Sequence, residues 1–135
     1  MPIDPRILGF TNRWYAPAMA TAQYVDLDDL RLRLITPVHF LATKLEAFRG
    51  RGNDDYSGSP DLEDVITVID GRSEIVSELE RSAWDVQEYV ASELRRLLGV
   101  PEFLDALSGF LMPDAGSQAR RPLLLQRLRA LAQLQ

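Results

Sequence analysis

The chain has 135 residues, 46% hydrophobic and 26% charged, with a formal net charge of −5 and no cysteine. This is apolar side chain for one globular core, which excludes a disordered or collagen-like segment, a two-domain enzyme of ordinary size, a disulfide framework, thiol catalysis and a cysteine-based zinc site. The acidic balance argues against a general nucleic-acid or membrane-surface binder, and without a long apolar run or a basic-then-apolar leader the expected location is cytoplasmic.

In chain order, the opening Met1–Phe10 is apolar at Ile3, Ile7, Leu8 and Phe10, with no polar tail ahead of it. Trp14, Tyr15 and Pro17 follow in an aromatic-rich stretch with no clear period. Residues 22–27 and 30–35 flank Asp28-Asp29, and Leu30, Leu32 and Leu34 alternate with Arg31 and Arg33. Period two predicts a half-buried hairpin with an arginine face, and Asp26, Asp28 and Asp29 read as turn residues.

The period then changes. Thr36-Pro37 is a helix start, and Val38, Leu41, Leu45 and Phe48 recur at helical spacing, so a helix is expected over 37–48. Arg49 to Pro60 reads as a polar Gly/Ser/Asn/Asp loop of a length at which loops are often functional. Further helices are expected from Ser59-Pro60 to Asp70-Gly71, over 73–81, 83–98 and 101–108, and over 115–134, where Leu124, Leu128 and Leu131 form a stripe. The basic C-terminus (Arg120, Arg121, Arg127, Arg129) is expected on the solvated side of that last helix. With no repeat or linker, residues 1–135 are expected to form one α+β domain: a strand-rich part over 1–35, a small hairpin or sheet, followed by a mostly helical bundle over 36–135.

One count is informative. Fourteen of the fifteen cations are arginine, and Lys44 is the only lysine. An ammonium is a compact point charge suited to a phosphate oxygen, whereas guanidinium is a wide planar fork. Lys44 falls at the rim of its helix's apolar stripe. Asp61 and Asp64 open the next helix three residues apart, a place that the helix dipole favours for acids in any case. Between them lies the glycine-rich segment with Arg49 and Arg51, whose basic groups and backbone N–H donors suit phosphates, although Asp54 and Asp55 oppose this. The spacing thus gathers a lysine, two arginines and a carboxylate pair at one edge between two helices.

ITPVHFLATKLEAFRGRG followed by PDLEDVITVIDGR resembles the C-terminal half of AbiEii-type nucleotidyltransferases, members of the DNA polymerase β-like superfamily that include toxins of toxin–antitoxin and phage-defence systems. The family pattern, a K-x-x-A helix, an arginine or two, then a D-x-x-D helix, falls here on Lys44 with Ala47, on Arg49 and Arg51, and on Asp61 with Asp64. ILGFTNRWY also looks like the strand-to-loop passage that follows the catalytic strands in such proteins. The resemblance implies transfer of a nucleotidyl group from a nucleoside triphosphate, with Mg²⁺, to an RNA or protein acceptor. It gives Lys44, Asp61 and Asp64 catalytic places: Lys44 neutralising phosphate charge, Asp61 positioning Lys44 or the acceptor, and Asp64 bracing its helix. Arg49 and Arg51 would bind the triphosphate, and residues 1–35 would be what remains of the nucleotidyltransferase sheet.

The family's metal-binding residues, a Gly-Ser helix start, an Asp-x-Asp strand and a later carboxylate, have no counterpart here, since no Asp-x-Asp pair follows Gly58-Ser59. No metal ligand is therefore assigned. The expectation is a truncated or partial nucleotidyltransferase, inactive alone, and the alternative is a non-catalytic interaction module. Open sheet edges in residues 1–35 would then pair with a second copy or a partner chain. Of the remaining residues, the single His39 is expected to be structural or on the surface. Trp14 and Tyr24 are expected in the core, Trp84 and Tyr89 as packing residues, and Tyr56 as the better base-stacking candidate. Glu74, Glu78, Glu80, Glu88 and Glu93 are expected on solvated helix faces.

Overall fold

The computed structural model describes residues 12–134, which have the expected α+β character, one antiparallel hairpin followed by a helical bundle, with one short helix, not expected from the sequence, ahead of the hairpin. The apolar opening, Ile3 to Phe10, and the first part of ILGFTNRWY lie outside the described residues. The first helix among the described residues, α1 (Tyr15–Thr21), follows buried Asn12. Its Oδ1 accepts from the Trp14 N–H at 3.0 Å, and its Nδ2 donates to the Thr43 carbonyl at 2.9 Å.

Strands β1 (Gln23–Leu27) and β2 (Leu30–Leu34) pair with Val25 opposite Leu32 and Leu27 opposite Leu30. Asp28 turns the chain at φ 55°, a left-handed conformation that aspartate tolerates better than most residues. Opposed residues share a face. Val25, Leu27, Leu30, Leu32 and Leu34 therefore lie on one side, and Tyr24, Asp26, Arg31 and Arg33 on the other. All ten strand residues are exposed. The expected hairpin forms but neither face is buried, and Tyr24, expected in the core, is exposed and carries Arg31 over its ring at 4.7 Å. Alternation decides which side chains share a face, but burial needs a second layer, and the described helices pack among themselves.

Helix α2 (Pro37–Arg51) begins as expected, with Thr36 Oγ1 accepting from the His39 N–H at 3.2 Å and Pro37 in the first turn. It runs a turn beyond its expected end, and the Gly52 N–H still bonds to the Phe48 carbonyl at 2.8 Å. Arg49 and Arg51 are therefore helical, and the loop shortens to residues 52–59. Ser59 caps α3 (Pro60–Gly71) by accepting from the Leu62 N–H at 3.2 Å.

Then come α4 (Ile75–Glu80), α5 (Trp84–Leu98) and α6 (Pro101–Phe110). The expected helix over 115–134 is two, α7 (Ala115–Gln118) and α8 (Arg121–Ala132). Pro122 breaks it, because proline has no N–H for the ladder and its ring collides with the carbonyl four residues back. None of the described helices is long and apolar enough to cross a membrane.

The core forms around α5, whose Val86, Val90, Leu94 and Leu97 recur at helical spacing and are buried. Against it pack Leu41, Leu45 and Phe48 of α2 and Leu124, Leu128 and Leu131 of α8, while Leu62, Ile66 and Ile69 of α3 close on α2. Of the C-terminal arginines, Arg120 and Arg129 are exposed as expected, whereas Arg121 and Arg127 are half-buried against neighbouring helices. Arg127 donates to the Ile69 and Asp70 carbonyls at 3.0 and 2.6 Å, Arg120 holds the Asp70 carboxylate at 3.0 Å, and Arg121 donates to the Leu104 carbonyl at 3.0 Å. Arg127 thereby satisfies carbonyls that the end of α3 leaves unpaired.

Candidate functional site

Helices α2 and α3 lie antiparallel, and their ion pairs follow that register: Arg51 meets Asp61, and Lys44, two turns earlier, reaches Asp64. Lys44 sits at the edge of the buried stripe, its side chain 26% exposed. Its Nζ is 2.8 Å from Asp64 Oδ2, 3.7 Å from Asp61 Oδ1 and 5.6 Å from the centre of the Phe40 ring. Arg51 holds Asp61 through Nε and Nη2 at 3.3 and 3.2 Å, and that hydrogen bond, chiefly, raises the guanidinium pKa above its ordinary value. Asp61 is nearly enclosed, with its side chain 6% exposed, against 45% for Asp64.

The fold therefore brings together Lys44, Asp61, Asp64 and Arg51, and it sends Arg49 elsewhere. Arg49 Nη1 donates to Glu93 Oε1 at 2.8 Å, and Arg96 Nε donates to Glu93 Oε2 at 3.0 Å. Glu93, expected on a solvated face, is buried between these arginines. The signal for it was there: Glu93 lies three residues after Val90 and beside Leu94, inside the α5 stripe, with Arg96 one turn on.

Beside the cluster, the 52–59 loop and the start of α3 enclose an open cleft of about 390 Å³, with Arg51 and Asp61 on its wall and Lys44 not. Asn53 and Asp54 turn at φ 51° and 57°, and the Gly58 N–H is taken by Asp55 Oδ1 at 2.9 Å. Part of the loop's donor set is thus already used. Tyr56, expected to be available for base stacking, packs on Phe48 with ring centres 5.5 Å apart and belongs to the core's edge.

Of the two aromatic residues expected to pack on α5, Trp84 does not and Tyr89 does. Trp84, expected to pack, is 68% exposed as the first residue of α5, whereas Glu46 accepts from the hydroxyl of buried Tyr89. Burial and this carboxylate raise the Tyr89 pKa. Trp14 is buried, as expected, against Tyr89 at 5.1 Å, and Arg13 lies over both rings. His39 joins elements: its Nδ1 lies 2.8 Å from Thr36 Oγ1 and 3.2 Å from Thr21 Oγ1, and burial lowers its pKa against the opposing pull of Asp85.

Among the described residues no three histidine or carboxylate side chains are grouped to hold a metal ion. Asp61 and Asp64 do not fit that task as they stand, because each already neutralises a cation. Comparison with protein-family models, curated proteins and solved structures finds no match to this chain.

Proposed function

We propose that this chain carries the nucleotide-side part of an AbiEii-type nucleotidyltransferase site, able to meet a nucleoside triphosphate but not to transfer from it alone. The observation that supports this reading is the meeting of Lys44, Asp61, Asp64 and Arg51 on one helix-pair edge beside the loop cleft. Two cations face two carboxylates, so an incoming triphosphate finds a neutral cluster and must displace an anion from Lys44. Asp64, more exposed and among the described residues ion-paired with the lysine alone, is the one able to swing away. Affinity is accordingly weak. Phosphoryl transfer further needs metal-bound charge neutralisation and in-line positioning, which these residues do not provide.

The test is calorimetric titration with ATP, GTP and CTP, with and without Mg²⁺. Binding at about millimolar Kd, insensitive to Mg²⁺ and weakened at least tenfold by Lys44→Ala, is expected. Absence of any binding, or binding indifferent to Lys44→Ala, overturns the reading. So does robust Mg²⁺-dependent labelling of an RNA or protein acceptor by the chain alone, which would place the active site elsewhere. The second reading, an interaction module with no nucleotide chemistry, is favoured by one different observation, the uncovered apolar face of the hairpin.

A further inference from the structure

We infer that the apolar face of the β1–β2 hairpin is an interface between two copies of this chain, the two ribbons stacking face to face about a two-fold axis. The inference rests on the hairpin alone and stands or falls independently of the Lys44 cluster. Val25, Leu27, Leu30, Leu32 and Leu34 are 40%, 57%, 64%, 38% and 50% exposed, and the register puts all five on one side. That face carries no charge. The opposite face holds the charged groups and partners them locally: Arg31 lies 3.8 Å from Asp26, Arg31 and Arg33 lie over Tyr24, and Arg33 donates to the Met19 carbonyl of α1. The ribbon is thus tethered to its own chain by its polar side, and its leucines are turned away from the polar tether.

A two-stranded hairpin standing alone is marginal in water and gains independent stability from further strands or a packed layer. Monomeric proteins rarely leave a contiguous apolar patch of more than a few hundred Å² uncovered. The five residues, about half exposed, offer at most roughly 500 Å² per copy and about 1,000 Å² for the pair, the size of a weak, reversible interface. A second copy suits this face because like meets like without an ion being desolvated, and the arginines, on the far side of each ribbon, do not confront one another. Stacking makes a four-stranded sandwich with the Val25/Leu32 pair at its centre. Edge-to-edge pairing, by contrast, would leave both apolar faces wet.

The absence of cysteine makes the test clean. Sedimentation velocity of the full chain is expected to show a monomer–dimer equilibrium at about micromolar Kd, the range an interface this small supports. Leu32→Glu is expected to weaken it at least tenfold with the helical circular dichroism unchanged, because the hairpin lies outside the helical core. Under mild oxidation Leu32→Cys is expected to form a covalent dimer at least tenfold faster than Arg33→Cys, its neighbour on the other face. A chain that stays monomeric to several hundred micromolar, a dimer indifferent to Leu32→Glu, or equal cross-linking of the two cysteine variants overturns the proposal. It is equally overturned if the Leu32→Cys thiol in a monomer resists a small alkylating reagent until residues 1–11 are removed, which would give the face to the chain's own N-terminal segment.

Discussion

Replacing Asp61 with asparagine is expected to cost more stability than replacing Asp64, although Asp64 is the closer to Lys44. Asp61 is 6% exposed and takes two hydrogen bonds from Arg51 with Lys44 at 3.7 Å, whereas Asp64 is 45% exposed and meets Lys44 at 2.8 Å. A hydrogen bond to a charged group contributes about 1.5–3 kcal/mol when enclosed, but half-exposed Arg51 recovers part of this from water. Asp61→Asn should therefore cost about 1.5–3 kcal/mol in total, and Asp64→Asn only the ~0.5 kcal/mol of an exposed pair. Both acids sit near the N-terminus of α3, so their dipole terms of about 0.3–1 kcal/mol largely cancel in the comparison. Urea unfolding measured for both variants, with unchanged slope, gives the difference directly. An Asp64→Asn cost equal to or above that of Asp61→Asn would refute the reasoning from burial. On the proposed nucleotide-side reading, Asp64→Asn should also raise triphosphate affinity about fivefold in a calorimetric titration, because it removes the anion that competes for Lys44.

Glu93→Ala should destabilise by about 1–2 kcal/mol, less than a fully enclosed pair would lose, because Arg49 and Arg96 are half exposed and rehydrate; a urea midpoint unchanged from the native chain would refute it. Gly52→Ala should cost about 1–3 kcal/mol, since a Cβ there would stand 2.5 Å from the Phe48 carbonyl oxygen and collide with Cδ1 and Cε1 of its ring. Thermal unfolding of that variant is the check, and a native-like Tm the adverse result. The single imidazole should titrate below its ordinary 6.5 by NMR. Because the depressed pKa belongs to the folded state, the unfolded chain binds the proton more readily, so this contribution to stability is present above pH 6.5 and lost as pH falls through the folded value. His39→Gln should flatten that part of the profile.

Local chemistry, which depends only on neighbouring residues, was legible in the sequence. Thr36-Pro37 and Ser59-Pro60 mark helix starts, Asp28 turns the hairpin, and the leucine and valine spacing picks out the buried stripes of α2, α3, α5 and α8. The site was half legible for the same reason. Lys44, Asp61 and Asp64 lie on two adjacent helices joined by a short loop, so antiparallel packing alone brings them together. Arg49 lies on the same helix two residues before Arg51, yet its direction depends on where α5 crosses, and only the packed bundle supplies Glu93 as its partner. Tyr24 and Trp84 sit in solvent while Glu93 is buried, because exposure is decided by which surface of another element arrives, not by the side chain's own polarity. The hairpin makes the separation plain. Its alternation determined that five apolar side chains share one face; whether anything covers that face is a property of layers, and among the described residues tertiary structure brings no layer to it.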